Sequence, residues 1–147
     1  MKIYLDTSVY KRPFDDQAQP RIWLETLAFS VILQAIEASE VDLVTSSVVA
    51  YENSQDPQHL RRQWATKCMS LATEHQVVAP AIRERAEALA TLGLTSLDAL
   101  HLASAEAAAC DYLLTCDDRL LKRSASLSEV AVCNPVDFVV DMMGDME

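Results

Sequence analysis

Four acidic side chains stand where solvent alone would not have put them. Asp6 closes the apolar run Ile3-Tyr4-Leu5, and Asp117 follows Leu113-Leu114-Thr115-Cys116. Glu52 ends Val48-Val49-Ala50-Tyr51, and Asp98 opens the Ala- and Leu-rich segment 95–110. Acids rarely enter an interior without a partner, and no basic residue is near Glu52 or Asp98 in sequence to neutralise them. Each also has a plain structural reading. Asp6 would cap a loop or helix start, and Asp98 would complete a T-x-x-D capping box with Thr95. Asp117 would be the N-cap of a helix from Asp118 to Ser124, and Glu52 would be helix surface. Taken together, unneutralised carboxylates repel, so one must be protonated or a divalent cation must bind. A donor set of oxygens, without His or Cys, suits Mg²⁺ or Mn²⁺ better than zinc. Hard cations held by carboxylates are a recurrent device for cleaving phosphodiesters.

Composition removes other chemistries. The 147 residues contain only Gly93 and Gly144, so no G-x-G-x-x-G turn, Walker loop or G-x-S-x-G elbow can be written. His59, His75 and His101 are too far apart for H-E-x-x-H. Cys68, Cys110, Cys116 and Cys133 form no C-x-x-C pair and read as buried thiols of a reducing compartment. The start Met1-Lys2-Ile3-Tyr4-Leu5-Asp6 reaches an acid before any secretory apolar core could form, and no apolar stretch reaches the roughly 20 residues of a membrane span. The expectation is a cytoplasmic protein without membrane contact. The net charge of −10 repels a polyanion at long range unless cations cluster or metal ions intervene.

The length suits one domain, residues 1–147, within the usual range of about 100–150 residues. Lys2–Leu5, Val41–Thr45, Tyr112–Thr115 and Val130–Cys133 read as short apolar strands. Lys11–Gln19 reads as a loop. A helix from Pro20 to about Ser39 is expected to turn Trp23, Leu27, Phe29, Val31 and Ile32 inward. Ser46 or Ser47 caps a short helix through Glu52, and a longer helix spans about Pro57 to His75. Another runs from Pro80 to about Leu92 and ends at Gly93. Strands separated by helices imply a parallel sheet of about four to five strands covered on both faces, a three-layer α/β/α domain. In such sheets ligands gather beyond the carboxyl ends of the strands, where Asp6 and Asp117 fall.

The blocks Leu5-Asp6-Thr7-Ser8-Val9-Tyr10, the mid-chain Glu52, Leu97-Asp98-Ala99-Leu100-His101-Leu102-Ala103-Ser104-Ala105, Leu113-Leu114-Thr115-Cys116-Asp117-Asp118 and Asn134-Pro135-Val136-Asp137-Phe138 together resemble the PIN domain, most closely its VapC-like toxin–antitoxin branch. The likeness covers nearly the whole chain, in order. It implies a Mg²⁺- or Mn²⁺-dependent ribonuclease in which Asp6, Glu52, Asp98 and Asp117 are catalytic and metal-site acids, supported by Thr7 and Thr115. The doublet Asp117-Asp118 leaves two candidates for the last acid, and Asp117 has the usual offset from Thr115. Cys116 replaces a residue that is often polar. His101, one turn beyond Asp98, either touches the site or packs in its helix. The resemblance also implies an RNA substrate, a homodimer and a small antitoxin lying across the acidic groove.

Basic residues fall in three knots. Lys11, Arg12 and Arg119 neighbour the acids in sequence and are the expected phosphate contacts, whereas Arg61 and Arg62 read as a solvated face. The competing reading is a catalytically silent PIN-fold module that binds protein or RNA. Phosphotransfer domains with Asp at a first-strand end fit worse. Ser8 stands where the haloacid-dehalogenase motif wants a second Asp, and the last strand lacks the Lys of a response regulator.

Overall fold

A computed structural model describes residues 1–145; the last two residues of the expected 1–147 unit lie outside that range. Five short strands, β1 (Lys2–Leu5), β2 (Asp42–Ser46), β3 (Glu74–Gln76), β4 (Tyr112–Leu114) and β5 (Ala131–Cys133), form one sheet in the order β3-β2-β1-β4-β5. Every pairing is parallel, with Tyr4 opposite Val44 on one side and opposite Leu113 on the other. Successive side chains of a strand point to opposite faces. Ile3, Tyr4 and Leu5 are all fully buried, so both faces of β1 are covered.

Parallel strands need crossover connections, and helices supply them. They are α1 (Thr7–Lys11), α2 (Pro20–Glu37), α3 (Ser47–Ser54), α4 (His59–Met69), α5 (Pro80–Thr91), α6 (Ser96–Ala107), α7 (Asp118–Arg123) and α8 (Pro135–Asp145). None among the described residues is long and apolar enough to cross a membrane. The α5–α6 turn needs Gly93, whose φ of 114° is a conformation that side-chain-bearing residues avoid. The chain winds outward from β1 through β2 to β3, then returns along α5 and α6 to place β4 on the other side of β1. That reversal opens a crevice beyond the carboxyl ends of β1 and β4.

The α/β class and parallel sheet agree with the sequence reading, and several elements correct it. The segment Pro57–His75 is not one helix: α4 stops at Met69 and residues 74–76 form the edge strand β3. Its residues, Glu-His-Gln, are polar and largely solvent-facing, which hid the strand from a hydrophobicity reading. The expected loop 11–19 contains the end of α1 and a 3-10 turn at Arg12–Phe14. Residues 135–145, read only as a late motif, form α8. On α2 the inner face is Ala28, Phe29, Ile32, Ala35 and Ile36, while Trp23 and Leu27 are 51% and 44% exposed.

The buried residue in that first stretch of α2 is a charge. Glu25 accepts Arg12 Nε at 3.0 Å and Arg21 Nε at 3.4 Å, and also accepts the Asn134 side-chain amide at the start of α8. It thereby ties α2 to the 3-10 turn and to α8. Breaking a buried pair leaves uncompensated charge behind, typically at 3–5 kcal/mol. Because Arg12 and Arg21 keep solvent access, Glu25→Ala is expected to cost about 3 kcal/mol, the low end of that range. Urea denaturation of the variant and wild type would check this, and a loss below about 1 kcal/mol would refute the role given to Glu25.

Candidate active site

Asp6 directly follows β1 and is the N-cap of α1, so its carboxylate is fixed by the helix it starts. Its Oδ1 accepts the Ser8 backbone N–H at 3.0 Å and the Ser8 hydroxyl at 2.5 Å. Its Oδ2 accepts the Thr115 hydroxyl at 2.5 Å. The backbone completes the junction: Asp6 N–H donates to Leu114 O at 3.1 Å, and Cys116 N–H donates to Ser8 Oγ at 3.0 Å. The ends of β1 and β4 are thus stitched together around one carboxylate that is only 5% exposed.

Asp117 is held in the same manner. Its N–H donates to Thr115 Oγ1 at 3.0 Å, and its Oδ1 accepts Arg119 N–H at 2.9 Å as the N-cap of α7. Asp98 sits in the first turn of α6, where Thr95 Oγ1 caps the helix by accepting Asp98 N–H at 3.2 Å. The capping and site readings of these acids are therefore compatible, because the caps orient the carboxylates. Helix N-termini also carry partial positive charge, which partly offsets the acids placed there.

Glu52 lies in the second turn of α3. Its Oε1 accepts the Thr7 hydroxyl at 3.0 Å and pairs with His101 Nε2. Asp118, the other member of the doublet, is exposed and forms a bidentate pair with Arg21 at 2.7 Å, away from this arrangement.

The acids sense one another. Burial pushes Asp6 above its ordinary range, and the charge of Asp98 pushes it further, against the favourable effects of His101, Ser8 and Thr115. Asp98 is likewise raised by burial, then by the charges of Asp117 and Glu52. For Glu52 burial acts in the same sense but is outweighed by His101, Thr7 and Lys11, which hold it low. All four acids belong to one electrostatic neighbourhood. Among the described residues, however, no group of three or more His, Cys, Asp and Glu side chains already converges as an ion cage. The donor set still suits a hard divalent cation. It offers oxygens only, in a half-buried cluster of like charges whose repulsion a cation would relieve.

Several residues differ from expectation. Lys11 is buried, and its ammonium is committed to Asn53 at 2.5 Å and Asp56 at 2.9 Å, which removes it from any RNA surface. Arg12 is engaged by Asp15 and Glu25, whereas Arg119 is exposed at the start of α7. Burial pushes the Cys116 thiol up to about 12, so it supplies no thiolate. The sequence reading omitted Ser8 and Tyr4, and it left His101 between touching the site and packing. Ser8 had a local signal in its position two residues after a capping Asp. Tyr4 had none, since a strand Tyr reads as core.

A sequence model described as "PIN domain" matches residues 3–126. The chain belongs to the PIN domain family. No curated protein matches it significantly. Three solved structures show the same fold. FitAcB from Neisseria gonorrhoeae is 18% identical, with a TM-score of 0.57 over 90% of this chain and 97% of that one. VapBC2 from Rickettsia felis, bound to a DNA fragment from its promoter, is 16% identical with a TM-score of 0.58 over 91% and 98%. A toxin–antitoxin complex from Klebsiella pneumoniae is 20% identical with a TM-score of 0.57 over 90% and 97%.

The raised acids of this PIN domain set the sign of its pH dependence. A carboxyl whose folded value lies above its unfolded one contributes stability that is complete below the unfolded value and lost as pH rises through the folded value. Asp6 and Asp98 therefore weaken the metal-free fold as they ionise, whereas Glu52 acts in the opposite sense. Asp98→Asn removes one repelling charge. With chelator present at about pH 7, it is expected to raise Tm by about 2–4 °C, the effect of roughly 1 kcal/mol after solvent screening. The gain should shrink near pH 4, where carboxyls ordinarily protonate. Thermal denaturation at the two pH values checks both the sign and the trend.

Proposed function

We propose that this PIN domain is a Mg²⁺- or Mn²⁺-dependent endoribonuclease and the toxin component of a type II toxin–antitoxin pair. What supports the reading is how the acids are tied: Thr115 bonds both Asp6 and the Asp117 backbone, Thr7 beside Asp6 holds Glu52, and Asp98 senses Asp117 and Glu52 and raises Asp6. A bound Mg²⁺ or Mn²⁺ would supply positive charge against the phosphate and its attacking water. The protein's part is to present oxygens. Ser8 and Thr115 fix both oxygens of Asp6, Thr7 steadies Glu52, and helix starts aim Asp98 and Asp117. Arg119, exposed beside Asp117, is the cation placed to meet substrate phosphate, with Arg12 a weaker candidate because of its internal pairs.

FitAcB, VapBC2 and the Klebsiella complex share this fold, and the Klebsiella structure is described as a toxin–antitoxin complex. Together with the motif resemblance, that supports a small antitoxin as partner and a second copy of the chain in a homodimer, both acting in the cytoplasm.

The internal commitment of Lys11 and Arg12, with the net charge of −10, favours a second reading, a catalytically silent PIN-fold binding module. One experiment separates the two. Structured and unstructured RNAs are incubated with wild type and with the Asp6→Asn/Asp98→Asn double variant, with and without Mn²⁺. Metal charge stabilisation worth several kcal/mol corresponds to a rate loss on the order of a thousandfold in the variant. Circular dichroism should show the fold retained. Equal cleavage by both proteins removes the nuclease assignment, and absence of Mn²⁺ affinity in wild type supports the silent module.

A further inference from the structure

Behind Glu52 runs a line of buried polar groups that the proposed chemistry does not itself use. Ser46, the last residue of β2, caps α3 by accepting Val49 N–H on its Oγ at 3.2 Å. That Oγ lies 2.6 Å from the Tyr4 hydroxyl, which lies 2.7 Å from His101 Nδ1. His101 Nε2 then meets Glu52 Oε1. Tyr4 and Ser46 are fully buried and His101 is 2% exposed, so these hydrogen bonds are made within the protein interior. The Tyr4 and His101 rings also pack edge to face at 5.6 Å.

The direction of the line follows from the inventory of donors. Ser46 Oγ accepts from the backbone, which frees its proton for Tyr4. Tyr4 in turn donates its hydroxyl to Nδ1, which leaves Nε2–H to donate to the Glu52 carboxylate. Every hydroxyl donates once, and the single tautomer of His101 that satisfies its neighbours is the one protonated on Nε2.

We propose that Tyr4 and His101 are positioning residues for Glu52. They lock the carboxylate through Oε1 and leave Oε2, which takes part in neither the Thr7 nor the His101 bond, to face an incoming cation. The proposal rests on the nuclease reading for what Glu52 does there, while the lock itself rests on the bonds alone. The juxtaposition reaches beyond one side chain. Tyr4 stands two residues before Asp6, His101 three after Asp98, and Ser46 starts the helix that bears Glu52. One polar line therefore registers β1, α3 and α6, three of the four acid-bearing segments. Groups that orient a ligand in this way typically alter metal affinity or activity 10–100-fold when removed.

The test compares wild type with His101→Phe, His101→Gln and Tyr4→Phe. Calorimetry with Mn²⁺ alone gives affinity, and ¹⁵N NMR of the metal-free protein near pH 8 gives the imidazole tautomer. His101→Phe is expected to weaken Mn²⁺ binding at least about tenfold. His101→Gln, whose amide nitrogen can replace the Nε2 donor, should stay within about threefold, a rescue that a packing role would not give. Tyr4→Phe should fall between them and shift the ring signals, which in wild type report a protonated Nε2 and a bare Nδ1. Mn²⁺ affinity unchanged in folded His101→Phe and Tyr4→Phe, or a wild-type ring protonated on Nδ1 alone, overturns the proposal. Should His101→Phe fail to fold, Tyr4→Phe decides by the same two readouts. Wild type without Mn²⁺ affinity ends the nuclease reading instead, and the ring signals of wild type and Tyr4→Phe still accept or reject the lock.

Discussion

Like charges do not assemble by themselves, and the fold of this PIN domain can be understood as the apparatus that forces them together. Asp98 raises Asp6 and is itself raised by Asp117 and Glu52, and each of the four acids is restrained by partners of its own. For Asp6 the restraint is the parallel junction of β1 with β4, closed by two hydroxyls and two backbone bonds. For Asp98 and Asp117 it is the start of a helix, where the capping geometry and the partial positive charge of the terminus coincide. For Glu52 it is a histidine reaching across from the neighbouring helix α6.

The sheet order explains why these four positions can meet at all. The chain builds one half of the sheet outward from β1 and then crosses to the other side. The central strand and its late neighbour β4 therefore deliver residues 6 and 117 to the same crevice. The crossover helix between the halves delivers residue 98 on its first turn. The two halves contribute unequally to order. On the β2 side the contribution is mostly the buried polar line and Glu52, whereas on the β4 side it is direct support of Asp6 and Asp117.

Much of this was readable from the residues, and the exceptions have physical causes. Strands made of apolar runs, such as Ile3-Tyr4-Leu5 and Leu113-Leu114, were plain, because burial on both faces demands that composition. The edge strand at 74–76 was not, because an edge with one solvated side tolerates Glu, His and Gln. The inner face of α2 was misjudged because Trp23 and Leu27 are apolar yet outward, while the charged Glu25 is buried among basic partners that no periodicity reveals. The four acids stand out in the sequence through their isolation from basic residues and their positions at element ends. Their supports were legible only where they were local, as with Thr95 before Asp98. Tyr4 and Ser46, 42 positions apart, touch only because β1 pairs with β2 in one register.

The placement of β4 beside β1 has a consequence during synthesis. β1 is made first but keeps one flank open until residues 112–114 emerge, after Asp98 and just before Asp117. A chain cut short between residues 98 and 112 holds Asp6, Glu52 and Asp98 but not Asp117, and one flank of its central strand is unpaired. Such a nascent chain has a ragged edge prone to misassembly, and it lacks the last of the four acids.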